Sequence, residues 1–409
     1  MLMHLVNCTI FDGDSPELIE NGAVTIEGGV IKEVSHSPPR RLPDAELIDC
    51  RGLFLMPGLI DAHYHAYMST FNILALEKMP WSLLACHATR FLEQSLRSGF
   101  TTVRDAGGAD IGLALALERG LIDGPRLFFS GRVISQTGGH GDLRASSEVS
   151  ACSCAMSGRQ SVIVDGEAEV RKAVREELRK GAHQIKLFVS GGVVSPSDPL
   201  WAPQFTESEI RAAVEEATAR RTYVMAHSHT DDSTQRCIEY GVRTIEHATE
   251  TSSETAALIA RKQVYVVPTL SILKIMRDNG PELNLPASSV QKIGGLYEQS
   301  LASIERCSQA KAAIGFGTDL VGEKFYSLQG MEFSLRGEVQ APIDVLRSAT
   351  SINADILQQR GRLGCIKADA LADLIVMRGD PLRDLSLFSA PEKNMPFVMR
   401  GGAIVRNEL

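Results

Sequence analysis

Three stretches decide the fold: Arg97-Ser98-Gly99-Phe100-Thr101-Thr102-Val103-Arg104-Asp105, Lys180-Gly181-Ala182-His183-Gln184-Ile185-Lys186-Leu187-Phe188 and Tyr240-Gly241-Val242-Arg243-Thr244-Ile245-Glu246-His247. Each runs from a helix end through a Gly turn into a short β-branched run that closes on polar residues, so helix and strand alternate. Working outward, similar runs mark strands at 53–60, 101–105, 126–130, 184–189, 223–228, 243–247, 264–270 and 313–318. The intervening helices are amphipathic. In 167–180, Val170, Ala173, Val174 and Leu178 form one stripe, opposite Arg171, Lys172, Arg175 and Glu176. Eight βα units over residues 58–359 predict an α/β fold, a (β/α)8 TIM barrel rather than a doubly wound sheet. The irregular segment Ser135 to Asp165 is long enough to suggest a functional loop. Residues 1–57 and 360–409 alternate apolar and polar over short runs with hairpin turns. Both are too short for separate cores, so they are expected to combine into one composite β-sandwich domain.

Composition narrows the function. The 409 residues carry 42 Lys+Arg against 50 Asp+Glu, a formal net charge of −8, which leaves no basic surplus for nucleic acid. No apolar run approaches the ~20 residues of a membrane span, and the N-terminus lacks the basic start of a secretory signal, so a cytoplasmic protein is expected. The 8 Cys are scattered and read as reduced thiols, with Cys152 and Cys154 as loop packing or a redox-sensitive spot.

The 10 His carry the rest. His63 and His65 are two apart at a strand end, so they point the same way and can offer two imidazoles to one ion. Lys186 lies within a barrel strand, and His227, His247 and Asp319 end three others, where catalytic groups collect in this fold. Each admits an ordinary reading alone: a hydrogen-bonded core histidine, a snorkelling lysine, a helix N-cap. Six residues with one strand-end address argue for a metal site. An ammonium is costly to bury among apolar neighbours and cannot ligate a cation, but as a carbamate Lys186 would be an anion with two oxygens. Tyr64, between the two histidines, should face away and pack. His4, His36, His87 and His183 receive no role.

The motifs MPGLIDAHYH (56–65), GFTTVRDAGG (99–108), Ser135-Gln136-Thr137-Gly138-Gly139-His140, QIKLFVSGG (184–192), His227 with His247, GFGTD (315–319) and LGCIKADALADLIVM (363–377) together resemble the amidohydrolase superfamily, in its imidazolonepropionase-related, Xaa-Pro dipeptidase (prolidase-like) branch. The resemblance runs over essentially the whole chain. It implies two divalent ions, zinc by expectation, one on His63, His65, Lys186 and Asp319 and the other on Lys186, His227 and His247, with Lys186 carboxylated. It further implies amide hydrolysis by a metal-bridging hydroxide, with Asp319 as proton shuttle. His140 is then a catalytic and substrate-contacting residue. Arg144 could pair a carboxylate or lie on the surface. His229 stands where the prolidase-like members carry a tyrosine that meets the substrate carboxylate. An imidazole there still donates a hydrogen bond but reaches less far, which bears on the substrate and not on the metals.

The reading is therefore a hydrolase of a small molecule, a Xaa-Pro-type dipeptide or N-acyl amino acid. The alternatives are a hydrolase of a non-peptide amide, carbamate or phenylurea, and a non-catalytic ligand-binding barrel. A homo-oligomer is expected, with the apolar helix at 81–96 able to serve an interface or to face the barrel.

Overall fold

The computed structural model describes residues 2–37, 45–144, 147, 159–195, 198–283, 285 and 287–409, with 281, 287 and 288 by backbone alone. Cys152 and Cys154 lie outside the described residues.

The chain opens with β1 (Leu2–Ile10), β2 (Ile19–Glu27), β3 (Val30–Ser35), β4 (Glu46–Asp49) and β5 (Phe54–Pro57). The middle contains β6 (Leu59–Tyr64), β7 (Phe100–Asp105), β8 (Arg126–Phe129), β9 (Val133–Ser135), β10 (Ser161–Ile163), β11 (Ile185–Phe188), β12 (Val224–Ser228), β13 (Thr244–His247), β14 (Tyr265–Val267) and β15 (Ala313–Ile314). It closes with β16 (Leu374–Met377), β17 (Phe397–Arg400) and β18 (Ala403–Asn407).

Both ends of the chain meet in one sheet, ordered β18-β17-β16-β5-β1-β2-β3 with β4 beside β1. The strand period of two decides its faces. Leu55, Leu374 and Val376 belong to one buried cluster, which also joins Ile26 near one edge of the sheet to Phe397 near the other. Phe54, Met56, Ile375 and Met377 point the opposite way and pack with Phe100, Phe316 and Phe333 from the middle of the chain.

The middle strands are parallel, in sheets β6-β7-β8 and β10-β9-β11-β12-β13-β14-β15, so the fold is α/β. Backbone hydrogen bonds also run between the two sheets: Ala62 N donates to Phe316 O beyond β15, and His183 N, just before β11, donates to Phe129 O on β8, each at 2.8 Å. Helix Glu167–Arg179 buries Val170, Ala173 and Val174 as the 3.6 period requires. Its Arg171 and Arg175 reach Glu215 and Glu216 on the neighbouring helix Glu207–Ala219, each at 2.6 Å. Among the described residues no helix is long and apolar enough to cross a membrane.

The strands differ from expectation in two places: β9 and β10 are not among the predicted strands, β10 lying within the segment 135–165 read as irregular, and one predicted strand is divided. The run predicted as a single strand at 53–60 is two, β5 in the terminal sheet and β6 in the parallel one, parted at Gly58. The hydrophobic run is continuous because both strands are buried, so periodicity alone hides the break. The crossing needs glycine: a Cβ on Gly58 would lie 2.3 Å from Thr101 Oγ1 and 2.4 Å from its Cγ2. Gly58→Ala should therefore cost about 1–3 kcal/mol of stability through overpacking. Thr101→Ala removes Oγ1 and Cγ2 but leaves Cβ, 2.9 Å away, so adding it should recover part of that loss in urea unfolding, and a double variant no more stable than Gly58→Ala would contradict the clash.

Candidate active site

The site begins with a buried charge. Arg104 on β7 is fully enclosed, and its guanidinium reaches β6 and β13: Nε donates to Ala62 O (2.6 Å), one terminal nitrogen to Thr244 Oγ1 (3.1 Å) and the other to Glu246 Oε1 (2.8 Å). Glu246 Oε2 lies 2.7 Å from His63 Nδ1. Burial alone would raise the Glu246 carboxyl, but Arg104 and His63 hold it down to about 2. An ionised Glu246 only accepts, so His63 carries its proton on Nδ1 and turns the Nε2 lone pair inward.

The same logic fixes His65, whose Nδ1 donates to Gly107 O at 3.1 Å. Both Nε2 atoms then face Asp319 Oδ1, at 3.6 Å from His63 and 3.1 Å from His65. Burial would raise Asp319 too, yet the two imidazoles and Lys186 keep it below the usual carboxylate range. Lone pairs set against a carboxylate oxygen repel unless a proton or a cation lies among them, which is the condition a metal site satisfies.

A second cluster sits beside the first. His227 Nε2 donates to Gly191 O (3.2 Å), leaving Nδ1 free, while the Nδ1 atoms of His229 and His247 lie 2.8 Å from Thr249 Oγ1 and Thr269 Oγ1. The three imidazoles can bring one nitrogen each to within 4.8 Å of the others, as can His63 and His65 with a carboxylate oxygen of Asp319 in the first cluster. Burial and then neighbouring imidazoles press His227 and His247 well below the ordinary histidine range and His229 down to about 3. Neutral imidazoles with tethered far nitrogens are what a divalent cation binds, so the donor set fits. Lys186 on β11 lines the same cavity, its ammonium pushed down to about 8 by burial while Glu246 and Asp319 pull the other way.

Local backbone makes room for this crowding. His247, Ala248 and Asp319 adopt positive φ of 71°, 46° and 52°, rare for residues with a Cβ. The turn at His247 lets Glu246 and its neighbour both face His63, which an extended strand would forbid.

His140 stacks on His227 at 4.7 Å, with Nδ1 2.8 Å from Ser195 Oγ. Arg144 forks the carboxylate of Asp142, 2.8 Å from Nε and 2.5 Å from a terminal nitrogen. The cavity is lined by His63, His65, Lys186, His227, His247, Asp319, His140 and His229; Arg144 is not among its lining residues. Most of the remaining wall is apolar, including Met68, Phe71, Phe188, Val193, Ile272 and Met276. Tyr64 points away from this cavity, accepting from Ser95 Oγ at 3.1 Å and packing edge-on to Tyr326.

Sequence reasoning missed Arg104, Glu246, Thr249 and Thr269. The first two had a signal: a charged residue inside a buried β-run, the same anomaly that singled out Lys186. The threonines had none.

The depressed imidazoles imply acid sensitivity. His63, near 4 when folded because of burial and then Lys186, takes up a proton on unfolding between that value and about 6.5. Stability is therefore lost as pH falls through this window, by about 1.4 kcal/mol per unit for each such histidine. His229 and the two lower imidazoles act in the same sense, and His65, raised by Asp319 against the opposing effect of burial, acts in the other. The urea midpoint of metal-stripped protein should thus drop clearly from pH 7 to pH 5; equal midpoints would contradict this electrostatic picture.

Comparison with known proteins follows the geometry. Residues 54–405 match the model of the Amidohydrolase family. The chain is 30% identical to the ochratoxinase of Aspergillus niger over 415 aligned positions, covering 97% of this chain and 85% of that protein. It is similar to a crystal structure of a prolidase complexed with N-methylphosphonate-L-proline (41% identity, TM-score 0.96, all of both chains). A Xaa-Pro dipeptidase with bound methionine is also similar (28%, TM-score 0.90, all of both chains). The chain belongs to the amidohydrolase family and is a hydrolytic enzyme acting on C–N bonds.

Proposed function

We propose that this enzyme is a two-metal hydrolase of the amide bond in a Xaa-Pro-type dipeptide or N-acyl amino acid. The observation that carries the reading is the set of inward lone pairs on His63, His65 and His227, whose far nitrogens donate to acceptors, beside His247, whose far nitrogen is tethered to a hydroxyl. His63, His65 and Asp319 would hold one cation and His227 and His247 another, zinc by preference, with Lys186 as a carbamate serving both. Burial favours the neutral amine of Lys186, the form that adds carbon dioxide. Divalent cations bound there supply Lewis acidity and ionise water near neutrality.

The residues do the rest. Asp319, a carboxylate at neutral pH, takes the proton of the attacking water and passes it to the departing amine. His140, anchored through Nδ1, turns its other nitrogen to the substrate, and with His229 offers hydrogen bonds to a carboxylate. We extend the proposal to a closed (β/α)8 barrel over 58–359, for which the two inter-sheet bonds are support. Residues 1–57 and 360–409 would form its composite β-sandwich domain. The enzyme would work in the cytoplasm as a homo-oligomer, for which the exposed Trp81 and Leu83 are support.

A second reading has its own observation. Arg144 is engaged by Asp142 and the cavity wall is apolar, which favours a non-peptide amide, carbamate or phenylurea lacking a carboxylate.

Two experiments test the proposal. Asp319→Asn should retain metal by elemental analysis while losing about 10²–10⁴-fold in kcat, the range of general acid–base catalysis, and Lys186→Ala should lose metal as well. Near-normal turnover by Asp319→Asn would remove its proton-shuttle role. Across a panel of N-acyl prolines, Xaa-Pro dipeptides, aryl amides and phenylureas, the carboxylate-bearing substrates with apolar acyl groups should have the highest kcat/KM; activity confined to substrates without a carboxylate would transfer the assignment to the second reading.

A further inference from the structure

Residues 190–195 and 198, just past β11, contact two imidazoles of the candidate site, those of His227 and His140, and the backbone of His229. Ser190 Oγ accepts from His229 N (3.0 Å), and Gly191 O accepts from His227 Nε2. Ser195 Oγ lies 2.8 Å and Asp198 Oδ2 3.6 Å from His140 Nδ1. Gly192 lies so close to the His140 ring that a Cβ there would sit 2.1 Å from Cε1. Apart from an isolated bridge between Ser190 and Pro203, these residues have no helix or strand to hold them.

Their carbonyls converge on a distant cation. Lys292, from the short helix Ala287–Ile293, donates from Nζ to Gly192 O (2.8 Å), Ser195 O (3.0 Å) and Asp198 O (2.7 Å). An ammonium has three donors, and here all three are used on backbone acceptors of one loop. We propose that Lys292 is a positioning residue, whose ammonium gathers three carbonyls of this loop and so sets the orientation of His140 and His227. This goes beyond the metal chemistry but rests on reading those two histidines as parts of the site.

Geometry as well as charge is required. A guanidinium is a planar fork and cannot point three donors at carbonyls that surround one atom, so Lys292→Arg should behave like Lys292→Met. In both variants amide exchange of residues 189–195 should quicken while the melting temperature changes little. KM should rise, and zinc loss to a chelator should accelerate, by about 10–100-fold, the usual effect of losing a group that orients a ligand histidine. In Lys292→Ala, methylammonium should restore KM and zinc retention, whereas tetramethylammonium, which has no N–H, should not.

Unchanged exchange in Lys292→Met would overturn the staple itself. Faster exchange with wild-type KM and wild-type zinc retention would overturn the positioning role, as would rescue by tetramethylammonium equal to that by methylammonium. A wild-type enzyme inactive on every panel substrate would instead count against the function proposed above, and exchange and zinc release would still decide the role of Lys292.

Discussion

The charged chain Arg104–Glu246–His63 is the constraint on which the site depends. It spans β7, β13 and β6 with every member enclosed, so none of the three can be satisfied by water. Taking such charges out of water costs several kcal/mol per ion, and removing one partner strands the other. What the pair secures is orientation. Glu246 stays ionised, His63 must therefore donate from Nδ1, and the remaining lone pair faces Asp319. Ala62 and Thr244, bonded to the same guanidinium, tie the strand carrying His63 to the strand carrying His247.

Around this chain every imidazole of the site is oriented from behind by a different partner: Glu246, Gly107 O, Gly191 O, Thr249, Thr269 and Ser195 for His63, His65, His227, His229, His247 and His140. Carbonyls and a carboxylate fix the tautomer outright, because they only accept; hydroxyls can take either role. His229 shows how position and environment differ. In sequence it replaces a tyrosine expected to reach a carboxylate. In the fold its ring is stacked against His247 at 4.9 Å, next to His227, and it lines the cavity.

The cavity's two halves also differ in kind. One end is crowded with titratable groups, while the wall formed by Met68, Phe71, Val193, Ile272 and Met276 has none. A substrate that spans both would put its scissile carbonyl among the histidines and an apolar group against the wall, and the water excluded there strengthens each polar contact at the reacting end.

The sequence by itself determined the alternation of helix and strand and the addresses of His63, His65, Lys186, His227, His247 and Asp319, because periodicity and strand-end placement are local properties written residue by residue. It could not separate β5 from β6, since a buried strand on either side of Gly58 leaves the same apolar run. Tertiary structure alone decided which group stands behind each imidazole, that Arg144 is engaged by Asp142, and that Lys292 closes on a loop about a hundred residues away. Those outcomes depend on distances between segments remote in the chain, and hydrogen bonding is too short-ranged for spacing along a sequence to specify it.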